Sequence, residues 1–163
     1  MTYDPGLTVQ RLETLQTLHD QAAEASGKLA VAAGGQQQAL RQAQAKLDQL
    51  ERYAAQYREE MERVGAAGAS WSQVRDLRGF VDRIDAAIAA QKAEIERLQQ
   101  VAADLAAQWT ATRQREKAFE VLIDEHQARQ QRKQKVGALK NLQEWALRRV
   151  SQFRPSSQQQ TEI

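Results

Sequence analysis

Apolar and small residues recur along this chain at alternating steps of three and four, in two long blocks separated by Gly65-Ala66-Ala67-Gly68. The first block runs Leu12, Leu15, His19, Ala22, Ser26, Leu29, Ala33, Gln36, Leu40, Ala43, Leu47, Leu50, Ala54, Tyr57, Met61, Val64. The second runs Val81, Ile84, Ile88, Gln91, Ile95, Leu98, Ala102, Leu105, Trp109, Thr112, Glu116, Phe119, Ile123. A strict 3–4 repeat keeps one stripe against a partner helix only in a left-handed coiled coil. Two such blocks around one glycine-bearing turn predict an all-α fold, a long antiparallel two-helix coiled coil with a C-terminal helical overhang.

The composition agrees. The chain has 163 residues, 27% of them charged and 6% aromatic, with two prolines. That is a long-helix composition. A two-helix rod buries a narrow stripe on each helix and leaves no wide core for an enclosed active site. There is no cysteine, so neither a disulfide framework nor a thiolate metal site can form. The segment Met-Thr-Tyr-Asp-Pro-Gly lacks the basic and apolar regions of a secretory leader, and no apolar run is long enough to span a bilayer. The reading is cytoplasmic.

The net charge of +2 conceals an asymmetry. Residues 1–128 carry fifteen basic and nineteen acidic residues, whereas residues 129–154 carry eight basic residues against Glu144 alone. A basic end on a mildly acidic rod points to an acidic partner there.

The boundaries follow from local signals. Helix one is expected over about 8–64 with Thr8 as N-cap, the turn over 65–70, and helix two over about 71–153, the whole of 1–154 being one domain. A glycine in the turn supplies the positive φ of a helix end. Ser70 stands as N-cap of helix two, with Gln73 in capping-box position. Gly34-Gly35 falls inside helix one without breaking the heptad phase, which suggests a soft spot or bend; three helices are the alternative. Pairing outward from the turn places Ser26 near Trp109 and Ala33 near Ala102. It leaves helix two unpaired beyond roughly residue 130, where the apolar phase shifts to Leu139, Leu142, Ala146, Val150 and Phe153. The polar tail over 155–163 is expected to be disordered.

Candidate sites are few. Two histidines, no glycine-rich phosphate loop and no metal-ligand spacing argue against an enzyme, a metal centre or a cofactor. His19 and His126 read as polar seam residues near the free ends. The seam polars Gln36, Gln91, Thr112 and Glu116 read as register-setting residues. Lys46, Tyr53, Phe80 and Ala87 occupy the position before the seam, which lies on one side of an antiparallel pair. With Leu50 and Tyr57 they form a partly exposed aromatic patch in the turn-proximal half, either a contact surface or a shield for the seam. The basic overhang carries Arg129, Arg132, Lys133, Lys135, Lys140, Trp145, Arg148 and Arg149. It reads first as a protein-docking helix, with a nucleic-acid arm, a helix lying on anionic membrane or a solvated tail as the alternatives.

Several segments resemble the FliJ family of flagellar export proteins. Leu47-Asp-Gln-Leu50-Glu-Arg-Tyr53-Ala-Ala-Gln-Tyr57-Arg is similar to that family's L-x-x-L-x-x-Y-x-x-x-Y-R segment. Beyond the turn, Trp71 and Phe80-Val-Asp-Arg-Ile84-Asp-Ala-Ala87-Ile88-Ala-Ala-Gln91 match its W…F-x-x-x-L-x-x-A-I-x-x-Q/H segment. Val101, Trp109, Lys117-Ala118-Phe119-Glu-Val-Leu122, Gln134-Lys135 and Glu144-Trp145-Ala146-Leu147-Arg148-Arg149 resemble the second arm.

The resemblance implies a non-catalytic, cytoplasmic stalk peripheral to the inner face of the cell membrane. It would insert into the hexameric export ATPase FliI, promote its assembly and activity, and contact the FlhA export gate and export chaperones. The family's gate-contacting patch would fall on Leu50, Tyr53, Tyr57, Phe80, Ile84, Ala87 and Gln91, with the basic end toward the ATPase. Gln91 stands where the family frequently has His, and Lys46 where it frequently has Gln. The same resemblance fits the stalk of a virulence type III secretion system. A basic-tailed coiled coil that binds nucleic acid or membrane is the alternative outside this family.

Overall fold

The computed structural model describes residues 5–153, the side chains of Pro5 and Leu7 excepted. Two helices account for nearly all of it: α1, Pro5–Ala66, and α2, Trp71–Gln152. The fold is all-α, a helical hairpin. Arg154 and the polar tail expected to be disordered lie outside the described residues. Thr8 is inside α1 rather than at its cap, because α1 already includes Pro5-Gly6. Proline is tolerated in a first helical turn, where its missing N–H has no intrahelical acceptor to lose.

The connection between the helices is a Schellman motif. Gly68 has φ +76. The Ala69 N–H donates to the Val64 carbonyl at 3.2 Å and the Gly68 N–H to the Gly65 carbonyl at 3.4 Å. These are the two bonds that satisfy the orphan carbonyls of a helix end, and they require a left-handed residue between them. Ser70 then starts α2: its carbonyl accepts from the N–H of Gln73 at 3.1 Å and of Val74 at 3.3 Å, while its hydroxyl lies 3.2 Å from that of Ser72. Gly34 and Gly35 interrupt nothing, and α1 is continuous through them.

The chain divides into two compact units, residues 20–116 and the segments 1–19 with 117–163. In the first unit the heptad reading matches the burial pattern. Every seam position of α1 from Ala22 to Val64 is buried or partly buried, and so is every one of α2 from Val81 to Glu116 except Trp109. Ala43, Leu47, Ile95 and Leu98 form the centre of the core, with Ala39, Leu40 and Ile88 packed on it. Ala54 is wholly buried, yet among the described residues no large side chain is. That is the geometry of a narrow two-helix seam, which admits methyl groups fully and long side chains only in part.

Trp109 departs from its expected place opposite Ser26. It is 41% exposed, and Ser26 meets Glu116, about two turns further along α2, whereas Gln36 with Leu98 and Ala43 with Gln91 keep close to the expected spacing. An indole is too wide for a seam that accommodates alanine and serine, so it rests at the edge. Its truncation therefore removes less buried surface than a core tryptophan would.

In the second unit, Leu12, Leu15 and His19 of α1 and Phe119, Ile123 and His126 of α2 are the partly buried seam residues. From residue 131 to the end of α2, every described residue except Gly137 is exposed.

Candidate functional site

The 20–116 unit has a polar seam of definite geometry. Gln91 Nε2 donates to the Ala43 carbonyl and Gln36 Nε2 to the Leu98 carbonyl, each at 2.9 Å. The two glutamines do not pair with each other; each reaches the opposite backbone. Glu116, 7% exposed, takes Arg113 Nη1 at 2.9 Å and lies 3.1 Å from Ser26 Oγ. The Ser26 hydroxyl is also 3.0 Å from the Ala23 carbonyl, and its single proton serves one acceptor at a time.

The aromatic side of this unit is built by the residues before the seam. Tyr53 is 45% and Phe80 40% exposed. Phe80 meets Tyr57 edge to face, ring centroids 4.6 Å apart at 66°, a favoured aromatic geometry. Gln49 Nε2 donates to the Tyr53 hydroxyl at 3.2 Å. Ala87 is exposed and Leu50 partly buried. Ile84 and Gln91 are each 9% exposed and sit in the seam beneath this side, where Gln91 spends its amide on Ala43. Leu50, Tyr53, Tyr57, Phe80 and Ala87 thus reach solvent on this side, with Ile84 and Gln91 buried.

Toward the turn, Tyr57 and Phe80 also wall a groove of about 560 Å³ completed by Glu60, Val64, Gln73, Asp76 and Leu77. The seam of α2 extends further toward the turn than Val81: Val74 and Leu77 continue the 3–4 steps back from it, and both are partly buried. Glu60 is bound by Arg63, whose guanidinium holds its carboxyl below the usual glutamate range through hydrogen bonding first and charge second. Arg97 does the same to Glu94. Between the helices Arg58 pairs with Asp85, and Lys92 lies 3.8 Å from Glu51.

The other unit holds the basic residues. Arg129, Arg132, Lys133, Lys135, Lys140, Trp145, Arg148 and Arg149 are all exposed on α2. The Arg149 guanidinium carbon stands 4.6 Å from the centroid of the Trp145 ring, a cation–π contact. His19 Nε2 is 3.3 Å from Glu120 Oε1. A cleft of about 540 Å³ is lined by Gln10, Arg11, Thr14, Leu15, Leu122, Glu125, His126 and Arg129. No described helix is long and apolar enough to cross a membrane.

A helical hairpin with a polar-pinned seam defines an all-α coiled-coil protein. The family model described as flagellar FliJ protein matches residues 11–154, and the chain belongs to the FliJ family. That membership places it in flagellar protein export. No curated protein and no solved structure matches it significantly.

Proposed function

We propose that this protein is the non-catalytic stalk and adaptor of the flagellar type III export apparatus. In this reading it works in the cytoplasm at the inner face of the cell membrane, inserts into the hexameric export ATPase FliI and promotes ring assembly and turnover. The family match over residues 11–154 carries the proposal. The two exposed surfaces support it. The side formed by Leu50, Tyr53, Tyr57, Phe80 and Ala87, backed by Ile84 and Gln91, is the gate-contacting surface for FlhA. The basic helix with Arg129, Arg132, Lys133, Lys135, Lys140, Trp145, Arg148 and Arg149 is the docking end for the ATPase. Export chaperones are the third class of partner.

The mechanism is mechanical. A helical pair has no rotational symmetry that matches a six-fold ring, so an inserted pair contacts the ring subunits unequally. A ligand shifts a conformational equilibrium only through such differential contact. The experiment is a titration of the cognate export ATPase with this protein, with hexamer formation followed in parallel. Stimulation with assembly supports the stalk; an active ATPase that responds in neither readout refutes it. Truncation after Ala128 is expected to weaken stimulation while the remaining chain stays helical.

A further inference from the structure

The last turns of α2, with Phe153 directly after them, keep large apolar side chains in water. Leu139, Leu142, Trp145, Leu147, Val150 and Phe153 are 55–83% exposed. At the helical pitch, Leu139, Leu142, Leu147, Val150 and Phe153 share an arc of roughly 140° with Ala146, interrupted by Gln143. Lys140 borders one edge of the arc and Arg149 the other, with Arg148 on the opposite face. Trp145 sits beyond the Arg149 edge, its ring under the guanidinium. Residues 129–153 carry seven basic side chains against Glu144 alone.

These features select among occupants. A single partner helix covers a narrow a/d strip, whereas this arc is wide. A nucleic acid would engage the cations and leave the apolar arc in water. An anionic bilayer surface covers both at once: the acyl boundary takes the arc, headgroup phosphates take the flanking cations, and tryptophan favours that boundary. α2 is not apolar enough to cross a bilayer, so it would lie in the interface plane.

We propose that residues 136–153 form an interfacial helix that binds anionic phospholipid. This goes beyond the stalk reading and shares Lys140, Trp145, Arg148 and Arg149 with its ATPase-docking end, so lipid and ATPase would occupy this helix in turn. Lipid and a docked protein would exclude one another from the arc.

The test is flotation of the full-length chain with vesicles of equal parts phosphatidylglycerol and phosphatidylcholine, against phosphatidylcholine alone. Binding is expected to the anionic vesicles and to weaken as salt screens the cations. Leu142→Gln with Val150→Gln leaves the charge unchanged at two exposed positions, and helical content by circular dichroism checks the fold. That pair is expected to weaken binding about tenfold or more. Lys140→Gln with Arg149→Gln is expected to reduce the preference for anionic vesicles. Absence of vesicle binding overturns the proposal, and so does undiminished binding by the Leu142/Val150 variant, which would leave charge alone as the cause. Loss of ATPase stimulation in that variant, with no vesicle binding by the parent chain, would assign the arc to a protein and also overturn the proposal.

Discussion

Gln91 and Ala43 are joined across the hairpin seam by a side-chain-to-backbone hydrogen bond of 2.9 Å, Nε2 to carbonyl oxygen. A helical carbonyl has a second lone pair after its own intrahelical bond, so the amide is accepted without breaking α1. Gln91→Ala is expected to destabilise by about 1–3 kcal/mol, through the lost bond and the void it leaves. Gln91→Leu should stay within about 1 kcal/mol of the parent, because the Ala43 carbonyl keeps its helical partner. Urea unfolding of both variants checks this. Equal losses would mean that the amide acts through its bond rather than its volume.

Glu116 is the opposite case, a buried carboxylate on the seam. Arg113 is half exposed and would return to water without it, while Ser26 would retain the Ala23 carbonyl. With its further contacts also lost, Glu116→Leu is expected to be neutral or stabilising by about 1 kcal/mol, as replacement of a buried polar group by an apolar one of similar size often is. A lower urea midpoint would show that the partners of the carboxylate outweigh its desolvation.

Two kinds of glycine should respond in opposite directions. A methyl group added at Gly34 or Gly35 meets nothing within 4 Å, and both lie in a continuous helix. Each change to Ala is expected to stabilise by about 1 kcal/mol and raise the thermal midpoint. Gly68→Ala meets no atom either, but φ +76 strains any L side chain. It is expected to cost roughly 1–2 kcal/mol.

The carboxyls of Glu60 and Glu94 are lowered by hydrogen bonds from Arg63 and Arg97. A depressed carboxyl contributes stability that is present above its unfolded pKa and lost as pH falls through the folded one. Both pairs are solvated and local to one helical turn, so salt screens them. NMR titration is expected to place both below the ordinary glutamate range, with the depression shrinking as salt is added. No depression at low salt would count against the pairs in solution.

Tyr53→Ala combined with Phe80→Ala removes two exposed rings of the aromatic side. The seam beneath is untouched, so helical content should hold and stability should fall by only about 1 kcal/mol, from the Tyr57 contact. Motility and binding to the export gate are expected to drop. Normal swimming with both changes would remove the gate-contact role from this surface.

Much of this was legible in the residues alone. The 3–4 spacing gave the helical hairpin and, apart from Trp109, the full or partial burial of every seam position, because a heptad leaves one stripe to face a partner. The turn was legible for a similar reason: a helix end needs a left-handed residue, and Gly68 meets that need cheaply. Spacing does not report how far a side chain reaches or what fits between two backbones. The tertiary structure alone decided that Gln91 bonds Ala43, that Ser26 meets Glu116, that Trp109 lies at the seam edge, and that Tyr57 and Phe80 wall a groove. Periodicity is a property of one helix and survives in its sequence. Register, reach and fit belong to two helices at once, and are settled only when their side chains compete for the same space.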